Sequence, residues 1–482
     1  MTTLDQNEPG AARGGSAVYA MIIAFIAAVG GFLFGYDLSL ISSAGLYLRT
    51  QFNLNDAAFG LVMVSAGYGC VLGPFVGSWL CDRIGRERTM VVASLLLAAG
   101  ALATAFARAV TLPFPVFGAL HVDAMTVLVI FRIIGGVGVG LCSIASPMYL
   151  AEVAPSRKRG QMGVMYQLAI VVGSTMAPLA SILCIKLFPV EPWRWMFGSQ
   201  MVVILVFVAF LFVLPRSPRW LAQKGRFDEA YGVLAKVDGP DYAKSELEEI
   251  KASLNQESGG LRELFTPGIR YALLIGFALA FFNMWTGWSG VGGYIPRLME
   301  IAGRDNKVFN ILYLFVTYAF MAILTVVSLF TVDKLGRRSL WLFASVFMAV
   351  AMAGTGLAFH LKVQNPLVLL FVFGMCAVPH GLALGPLPWL MMSEVFPTRV
   401  RAKAVALTTT FLWAIACLQG QWIPSLITFS TKTIGSAAGL FWIFTLICIV
   451  STIFGLKMLP ETKGRTLEHI AEGWKKRDKK AE

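Results

Sequence analysis

One acidic residue lies in a segment that is otherwise typical of the interior of a lipid bilayer. From Val18 to Tyr36 the chain has 19 residues without a charge, and Asp37 follows directly. Ionisable side chains are costly inside a membrane, and they usually face a partner or a water-filled path. Arg132, inside a later apolar run, is the partner that the sequence offers. A carboxyl group held between burial and a guanidinium can bind and release a proton.

This pair has two interpretations, a proton-coupling site and a static ion pair that only fixes helix packing. With the amino terminus inside, the first helix approaches the outer face near residue 41, and the fourth enters from that face near residue 123. The rise of ~1.5 Å per residue then gives Asp37 and Arg132 comparable depths in the outer half of the membrane. We favour coupling, because intramembrane carboxylates are usually functional.

Composition indicates a membrane protein with many spans. The 482 residues are 57% hydrophobic and 14% charged. Twelve apolar runs between residues 17 and 459, each of about 20 residues or more, match a hydrocarbon core of ~30 Å. They predict an all-α membrane protein with twelve transmembrane helices. The net charge of +13 reflects Lys and Arg in loops and does not indicate a nucleic-acid partner.

Basic loops predict the orientation of the helices. The loops "CDRIGRER", "EVAPSRKRG", "DKLGRR" and "TRVRAK" carry three Lys or Arg residues each, more than the loops between them. Loops rich in Lys and Arg remain in the cytoplasm. We therefore expect a multi-pass protein of the cell membrane with both termini in the cytoplasm.

An internal repeat divides the chain. "DRIGR" at 82–86 recurs as "DKLGR" at 333–337, "EVAPSRKRG" at 152–160 recurs as "EVFPTRVRA" at 394–402, and the segment from Pro215 is echoed from Pro460. Repeated motifs at one offset indicate two homologous halves, an architecture used by transporters. The predicted divisions are a cytoplasmic leader (1–16), a six-helix half (17–215), a short helical cytoplasmic linker (216–270), a second six-helix half (271–459) and a cytoplasmic tail (460–482).

The ordered set of motifs resembles the sugar porter family of the major facilitator superfamily, most closely its bacterial proton-coupled sugar symporters. The resemblance implies the major facilitator fold and alternating access. It rests on "FGYD" 34–37, "DRIGR" 82–86, "RIIGGVGVG" 132–140, "PMYLAEVAP" 147–155, "PRSPRWL" 215–221, "DKLGRR" 333–338, "GPLPWLMMSEVFP" 385–397 and "PETKGR" 460–465.

The resemblance also implies a solute site between the halves. Gln167 matches a glutamine that binds sugar, whereas Asn283 and Met284 stand where relatives carry a glutamine pair, and His380 replaces an aromatic residue. With few amides the pocket suits a less hydroxylated or aromatic solute, and we expect weak binding of D-glucose. The predicted solute-binding residues are Phe34, Gln167, Ile170, Ser174, Asn283, Met284, Ser289, His380, Gly385, Trp389 and Trp413.

The same resemblance implies a gate of charged residues on the cytoplasmic side. Pairing of Glu152 with Arg401, and of Glu394 with Arg159, would join the halves when the inner side is closed. The alternative is that these charges only set topology. Arg216 replaces an acidic residue of the family motif, which puts one arm of the charge network in doubt. The predicted gate residues are Asp82, Arg86, Glu152, Arg159, Asp333, Arg337, Glu394 and Arg401.

The predicted function is proton-coupled symport of a small sugar-like or other polar organic solute. Its partners are the solute, protons and the lipid bilayer, and we expect a functional monomer. No nucleophile–base pair, metal cluster or nucleotide motif occurs in the sequence, so we expect neither an enzyme nor a cofactor. The alternatives are a facilitative uniporter or exchanger of the same fold and a solute sensor that transports nothing.

Overall fold

Long apolar helices dominate the first half of the protein. The computed structural model describes residues 16–114, 118–154, 159–254, 261–267, 269–397 and 400–462. In this part of the chain twelve helical segments are long and apolar enough to cross a membrane, which confirms the predicted fold class. The first six are α1 (Ala17–Gln51), α2 (Asp56–Ile84), α3 (Arg86–Ala105), α4 (Ala124–Val153), α5 (Arg159–Leu187) and α6 (Pro192–Leu211).

A polar linker and six further spans follow. The linker contains α7 (Pro218–Gln223), α8 (Phe227–Asp238), α9 (Pro240–Leu254) and a 3-10 turn (Leu261–Phe265). It has a small apolar core of its own, centred on Trp220, Leu221 and Leu234. The later spans are built from α10 (Ile269–Trp285), α11 (Trp288–Ile301), α12 (Lys307–Leu335), α13 (Arg337–His360), α14 (Pro366–Pro379), a π-helix (His380–Leu384), α15 (Pro386–Glu394), α16 (Arg401–Ile434) and α17 (Ala438–Lys457).

The backbone departs from twelve continuous helices in three places. The first helix continues to Gln51, ten residues beyond the predicted membrane boundary at residue 41. The seventh span breaks at Gly287, where φ is +109°, a value that glycine adopts without strain. Between α3 and α4 the strands β1 (Val110–Phe114) and β2 (Gly118–Val122) form a short antiparallel hairpin, for which the sequence analysis made no prediction.

The tenth span contains the other break. His380–Leu384 forms a π-helical turn between α14 and α15. Such turns are rare and frequently lie at functional sites. Asn283 of α10 donates its side-chain N–H to the carbonyl oxygens of Leu384 (2.8 Å) and Gly385 (3.3 Å). A side chain of the seventh span therefore satisfies backbone groups that the irregular turn leaves free.

Small residues allow the helices around the centre of the first half to pack closely. A Cβ atom on Gly136 of α4 would lie 1.9 Å from the carbonyl oxygen of Ala66 on α2. A Cβ atom on Gly35 of α1 would lie 1.8 Å from the carbonyl oxygen of Ile170 on α5. Close approach of this kind is how helices associate in a membrane, where no hydrophobic effect drives them together. It fixes α1, the helix that carries Asp37, against α5.

The two halves meet through α2 with α16 and through α5 with α12. On the predicted outer side, several hydrogen bonds cross between the halves. Thr428 of α16 donates to the carboxylate of Asp56 on α2, and Gln421 donates to the carbonyl of Ala57 at 2.8 Å. Lys307 of α12 donates to the carbonyl of Leu46 on α1 at 3.1 Å. The outer ends of the halves are therefore joined in this conformation.

Candidate functional site

The predicted contact between Asp37 and Arg132 is present. Arg132 Nη1 lies 2.5 Å from Asp37 Oδ1, and the two side chains are only 4% and 7% exposed. The guanidinium also lies 5.2 Å from the centre of the Phe197 ring on α6, within the range of a cation–π interaction. A buried charge is tolerated when it has a partner of opposite sign. The role of this pair in proton coupling stays a prediction.

Gln200 of α6 completes this cluster, and the sequence analysis missed it. Its Nε2 donates to Asp37 Oδ1 at 2.6 Å, so two donors converge on one carboxylate oxygen. A lone glutamine within the apolar run of α6 is itself the signal that could have identified it, because polar side chains in spans usually have a partner.

Several polar atoms of the cluster remain without a hydrogen bond among the described residues. They are Asp37 Oδ2, Arg132 Nε, Arg132 Nη2 and the hydroxyl of Thr104. Asp37, Thr104, Arg132 and Gln200 share the wall of a cavity of about 10 Å³. Oδ2 is therefore the oxygen of Asp37 that has no donor among the described residues, whereas Oδ1 has two.

Aromatic side chains from both halves meet at the predicted solute site. Phe34 of α1 and Trp413 of α16 contact each other with ring centres 5.1 Å apart. Both rings are buried, and the Trp413 indole N–H has no hydrogen-bond partner among the described residues. Gln167 and Trp389 are half-buried. The two halves therefore contact each other through two tilted aromatic rings at the level of the predicted solute site.

Other predicted solute-binding residues bind the protein backbone in this conformation. The Ser174 hydroxyl donates to the Gly35 carbonyl at 3.1 Å, which ties α5 to α1. Asn283 binds the carbonyls of the π-helical turn, and the Ser289 hydroxyl donates to the Asn283 carbonyl at 3.3 Å. These side chains shape the site by fixing its helices, and their hydrogen-bonding groups face neighbouring helices.

The remaining predicted residues lie around the broken tenth span and α5. His380 is buried, and its ring centre lies 5.9 Å from that of Trp288. A Cβ atom on Gly385 would lie 2.9 Å from the His380 carbonyl, so glycine allows this turn to close. Met284 is half-buried, and its carbonyl accepts from Gln419 at 2.8 Å. Ile170 contributes the carbonyl against which Gly35 packs.

Two of the charged gate residues, Glu152 and Glu394, pair with arginines of their own half in this conformation, and the pairing across the halves expected for a closed inner side stays a prediction. Glu152 binds Arg86 of its own half at 2.7 Å, and Glu394 binds Arg337 of its own half at 3.1 Å. Asp82 lies 3.8 Å from Arg86. In each half, the arginine at the start of α3 or α13 lies beside the glutamate near the end of the following span, which allows this pairing.

One of the two expected cross-half partners, Arg401, has a described side chain. Arg401 Nε donates to the Phe396 carbonyl at 3.5 Å, within the second half. The side chains of Arg159 and Asp333 lie outside the described residues. Within each half, a hydroxyl supplements the arginine: Ser217 donates to Glu152, and Thr462 donates to Glu394. Because the ends of the halves are joined there, the conformation is closed on the predicted outer side.

Comparison with known proteins identifies the family of this chain. The family model described as "Sugar (and other) transporter" matches residues 23–474. The chain belongs to this family. It is 33% identical to the arabinose-proton symporter of Bacillus subtilis, over 98% of this chain and 98% of that protein. It is 31% identical to the D-xylose-proton symporter of Escherichia coli K12, over 96% of this chain and 97% of that protein.

Solved structures of this family have the same fold. The inward open conformation of the xylose transporter XylE from E. coli superposes with a TM-score of 0.78 at 29% identity, covering 95% of this chain and 100% of that one. XylE bound to 6-bromo-6-deoxy-D-glucose superposes with a TM-score of 0.79, also at 29% identity, covering 95% and 99%. The predicted major facilitator fold is confirmed.

Proposed function

We propose that this family member is a proton-coupled symporter that moves a small sugar-like solute by alternating access. The observation that carries the proposal is the buried ion pair of Asp37 and Arg132, with Gln200 as a third member. The relatives named as proton symporters of arabinose and xylose support the same reading. Asp37 is the proposed proton carrier, and Arg132 is the group that favours its ionised form.

The solute site lies between the halves, where Phe34 meets Trp413. Gln167 and Trp389 are the proposed solute contacts, because both are half-buried and neither side chain donates a hydrogen bond within the described residues. Ser174, Asn283 and Ser289 hold the surrounding helices. The basic loops support a protein of the cell membrane with both termini in the cytoplasm. The proposed solute site is built from the two halves of one chain, which supports a functional monomer.

A facilitative carrier of the same fold is the main alternative. It would use the same solute site without binding a proton, and the ion pair would then serve only to pack α1 against α4. A solute sensor is the second alternative. The three functions differ in whether a pH gradient drives solute accumulation and in whether solute crosses the membrane at all.

The decisive experiment uses Asp37→Asn in reconstituted vesicles. Asparagine resembles the protonated acid, so the variant should exchange solute across the membrane while it fails to accumulate solute in a pH gradient. Asp238→Asn, at an exposed position of the linker helix α8, is the matched control and should behave as wild type. The measurements are pH-driven uptake and counterflow of labelled arabinose, xylose and glucose.

The outcomes separate the alternatives. Accumulation by Asp37→Asn in response to the pH gradient would show that Asp37 is not the coupling residue. Loss of counterflow together with accumulation would favour a packing role for the ion pair. Wild-type protein that exchanges sugar but ignores the pH gradient would be a facilitative carrier.

A further inference from the structure

The predicted cytoplasmic side carries the same cluster of side chains in both halves. In the first half, Arg86 binds Glu152, which also accepts from Ser217 at the start of the linker. In the second half the corresponding residues make the same contacts: Arg337 binds Glu394, which also accepts from Thr462 at 2.6 Å. The turn glycines correspond too, with φ of +98° at Gly85 and +86° at Gly336.

Two neighbouring positions break this symmetry by exchanging charge. The residue after Arg86 is Glu87, whereas the residue after Arg337 is Arg338. The residue before Ser217 is Arg216, whereas the residue before Thr462 is Glu461. At the start of the helix, the first half has an acid where the second half has a base. In the segment after the sixth or twelfth span, the first half has a base where the second half has an acid.

In the second half, Glu461 caps the start of α13. Its carboxylate accepts from the backbone N–H groups of Arg337 (3.0 Å) and Arg338 (3.1 Å). A Cβ atom on Gly336 would lie 2.7 Å from Glu461 Oε2, so the carboxylate sits directly over the turn. A negative charge at a helix amino terminus is favoured by the free N–H groups and by the helix dipole.

In the first half, a carboxylate occupies the same place but comes from the helix itself. A Cβ atom on Gly85 would lie 2.9 Å from both Glu87 carboxylate oxygens. Neither oxygen has a hydrogen-bond partner among the described residues. Arg216 Nε lies 3.6 Å from Glu87 Oε1. The Arg216 guanidinium also lies 5.4 Å from the centre of the Trp220 ring. The acid over the turn is retained, and the linker now supplies its counter-charge.

We infer that Glu87 and Arg216 form a charge-inverted equivalent of the Glu461 cap, and that this pair positions the start of the linker on the inner gate. Arg216 directly precedes Ser217, and the Ser217 hydroxyl donates to Glu152. The ion pair of Arg216 with Glu87 therefore orients Ser217 toward the ion pair of Arg86 with Glu152. The inference rests on the proposed transport function for its kinetic consequence and on the structure alone for the pairing. Glu87 and Arg216 are positioning residues and do not touch the solute.

The test is a charge exchange. Arg216→Glu places a second carboxylate beside Glu87, and Glu87→Arg places a fourth cation beside Arg86, Arg88 and Arg216. Each single variant should lower the maximal rate of pH-driven sugar uptake at least about fivefold with KM unchanged, since coupled charged neighbours show energies of this order. The double variant E87R/R216E recreates the arrangement of the second half and should return to within about twofold of wild type.

The second half provides the matched control. Glu461 binds backbone N–H groups, and the Arg338 guanidinium binds the carbonyls of Gly455 (3.1 Å) and Leu456 (2.5 Å) at the end of α17. E461R/R338E recreates the arrangement of the first half and should recover relative to Glu461→Arg alone, whereas E87R/R338E has the same net charge with its exchanged residues in different halves and should remain as impaired as Glu87→Arg. Recovery confined to exchanges within one half is a result that general effects of surface charge do not produce.

A second measurement separates this inference from the transport function. Hydrogen exchange of residues 218–223 and 86–90, followed by mass spectrometry, reports whether the linker start remains attached, whether or not sugar is transported. Faster exchange in each single variant and wild-type exchange in E87R/R216E support the pair. A double variant that exchanges as fast as the worse single variant overturns the pairing, and restored exchange without restored uptake overturns its role in gating.

Discussion

The hydrogen bond between Thr428 and Asp56 predicts how strongly the outer side is held closed. Thr428 lies on α16 and Asp56 on α2, so this contact exists only while the outer ends are joined. Asp56 also binds Arg49 at 2.9 Å, but both belong to the first half, and that ion pair persists when the halves separate. Thr428→Val therefore removes a contact from one conformation and leaves the other unchanged.

The size of the effect follows from the exposure of the acceptor. A hydrogen bond to a charged group contributes about 1.5–3 kcal/mol when buried. The Asp56 side chain is 23% exposed and is already paired with Arg49, so we take a contribution below this range, about 1 kcal/mol. This corresponds to about a fivefold rise in the ratio of outward-open to outward-closed protein.

Thiol labelling from outside measures this ratio. Ser42 of α1 is buried, and its hydroxyl oxygen would lie 3.8 Å from a Cβ atom on Gly293 of α11. A cysteine introduced at Ser42 should react with an impermeant reagent only when the halves part, so Thr428→Val should raise its labelling rate about fivefold. Thr431→Val is the control, because the Thr431 hydroxyl donates to Ile427 of its own helix at 2.8 Å. The labelling rate of the cysteine at Ser42 is compared without a second change, with Thr428→Val and with Thr431→Val. Equal rates in all three proteins, or an equal rise with Thr431→Val, would refute the role of the Thr428–Asp56 hydrogen bond in holding the outer side closed.

Two further predictions concern packing and solute choice. Gly136→Ala should prevent folding, because its Cβ would lie 1.9 Å from the Ala66 carbonyl, whereas Gly354→Ala has open space and should melt within a few degrees of wild type in a thermal-shift assay. Calorimetry should show weak binding of D-glucose to the wild-type protein and tighter binding to Met284→Gln. Asn283→Gln should instead lower the melting temperature, because Asn283 binds the carbonyl of Leu384 in the π-helical turn.

The sequence was a good guide to the spans and to the contact between Asp37 and Arg132, whose role in coupling stays a prediction. Length and hydropathy define a membrane helix almost completely, because each span must satisfy its own backbone hydrogen bonds in lipid. Asp37 and Arg132 stood out for the same reason, since a charge in such a segment needs a partner. The breaks at Gly287 and His380 were less visible, because they depend on contacts between spans such as that of Asn283 with Leu384.

The pairing of the gate charges could not be obtained from the sequence. The repeat identified Glu152, Arg86, Glu394 and Arg337, but it could not say which glutamate meets which arginine. That depends on how far apart the halves are at their inner ends, which is a property of the conformation and not of the local sequence. Gln200 was missed for a different reason: a single amide is a weaker signal than a charge, and only the approach of α6 to α1 shows its partner.

Under the proposed function, the position of Asp37 on α1 would connect proton binding to the proposed solute site. Phe34 and Asp37 are three residues apart, so they lie within one turn on neighbouring parts of the helix surface. Phe34 contacts Trp413 of the other half, while Asp37 binds Arg132 and Gln200 of its own half. If Asp37 carries the coupled proton, as proposed, protonation would remove the counter-ion of Arg132 and weaken the contacts of α4 and α6 with α1. A movement of α1 would then also move Phe34, because the proposed proton carrier and the ring that contacts the other half lie on the same helix.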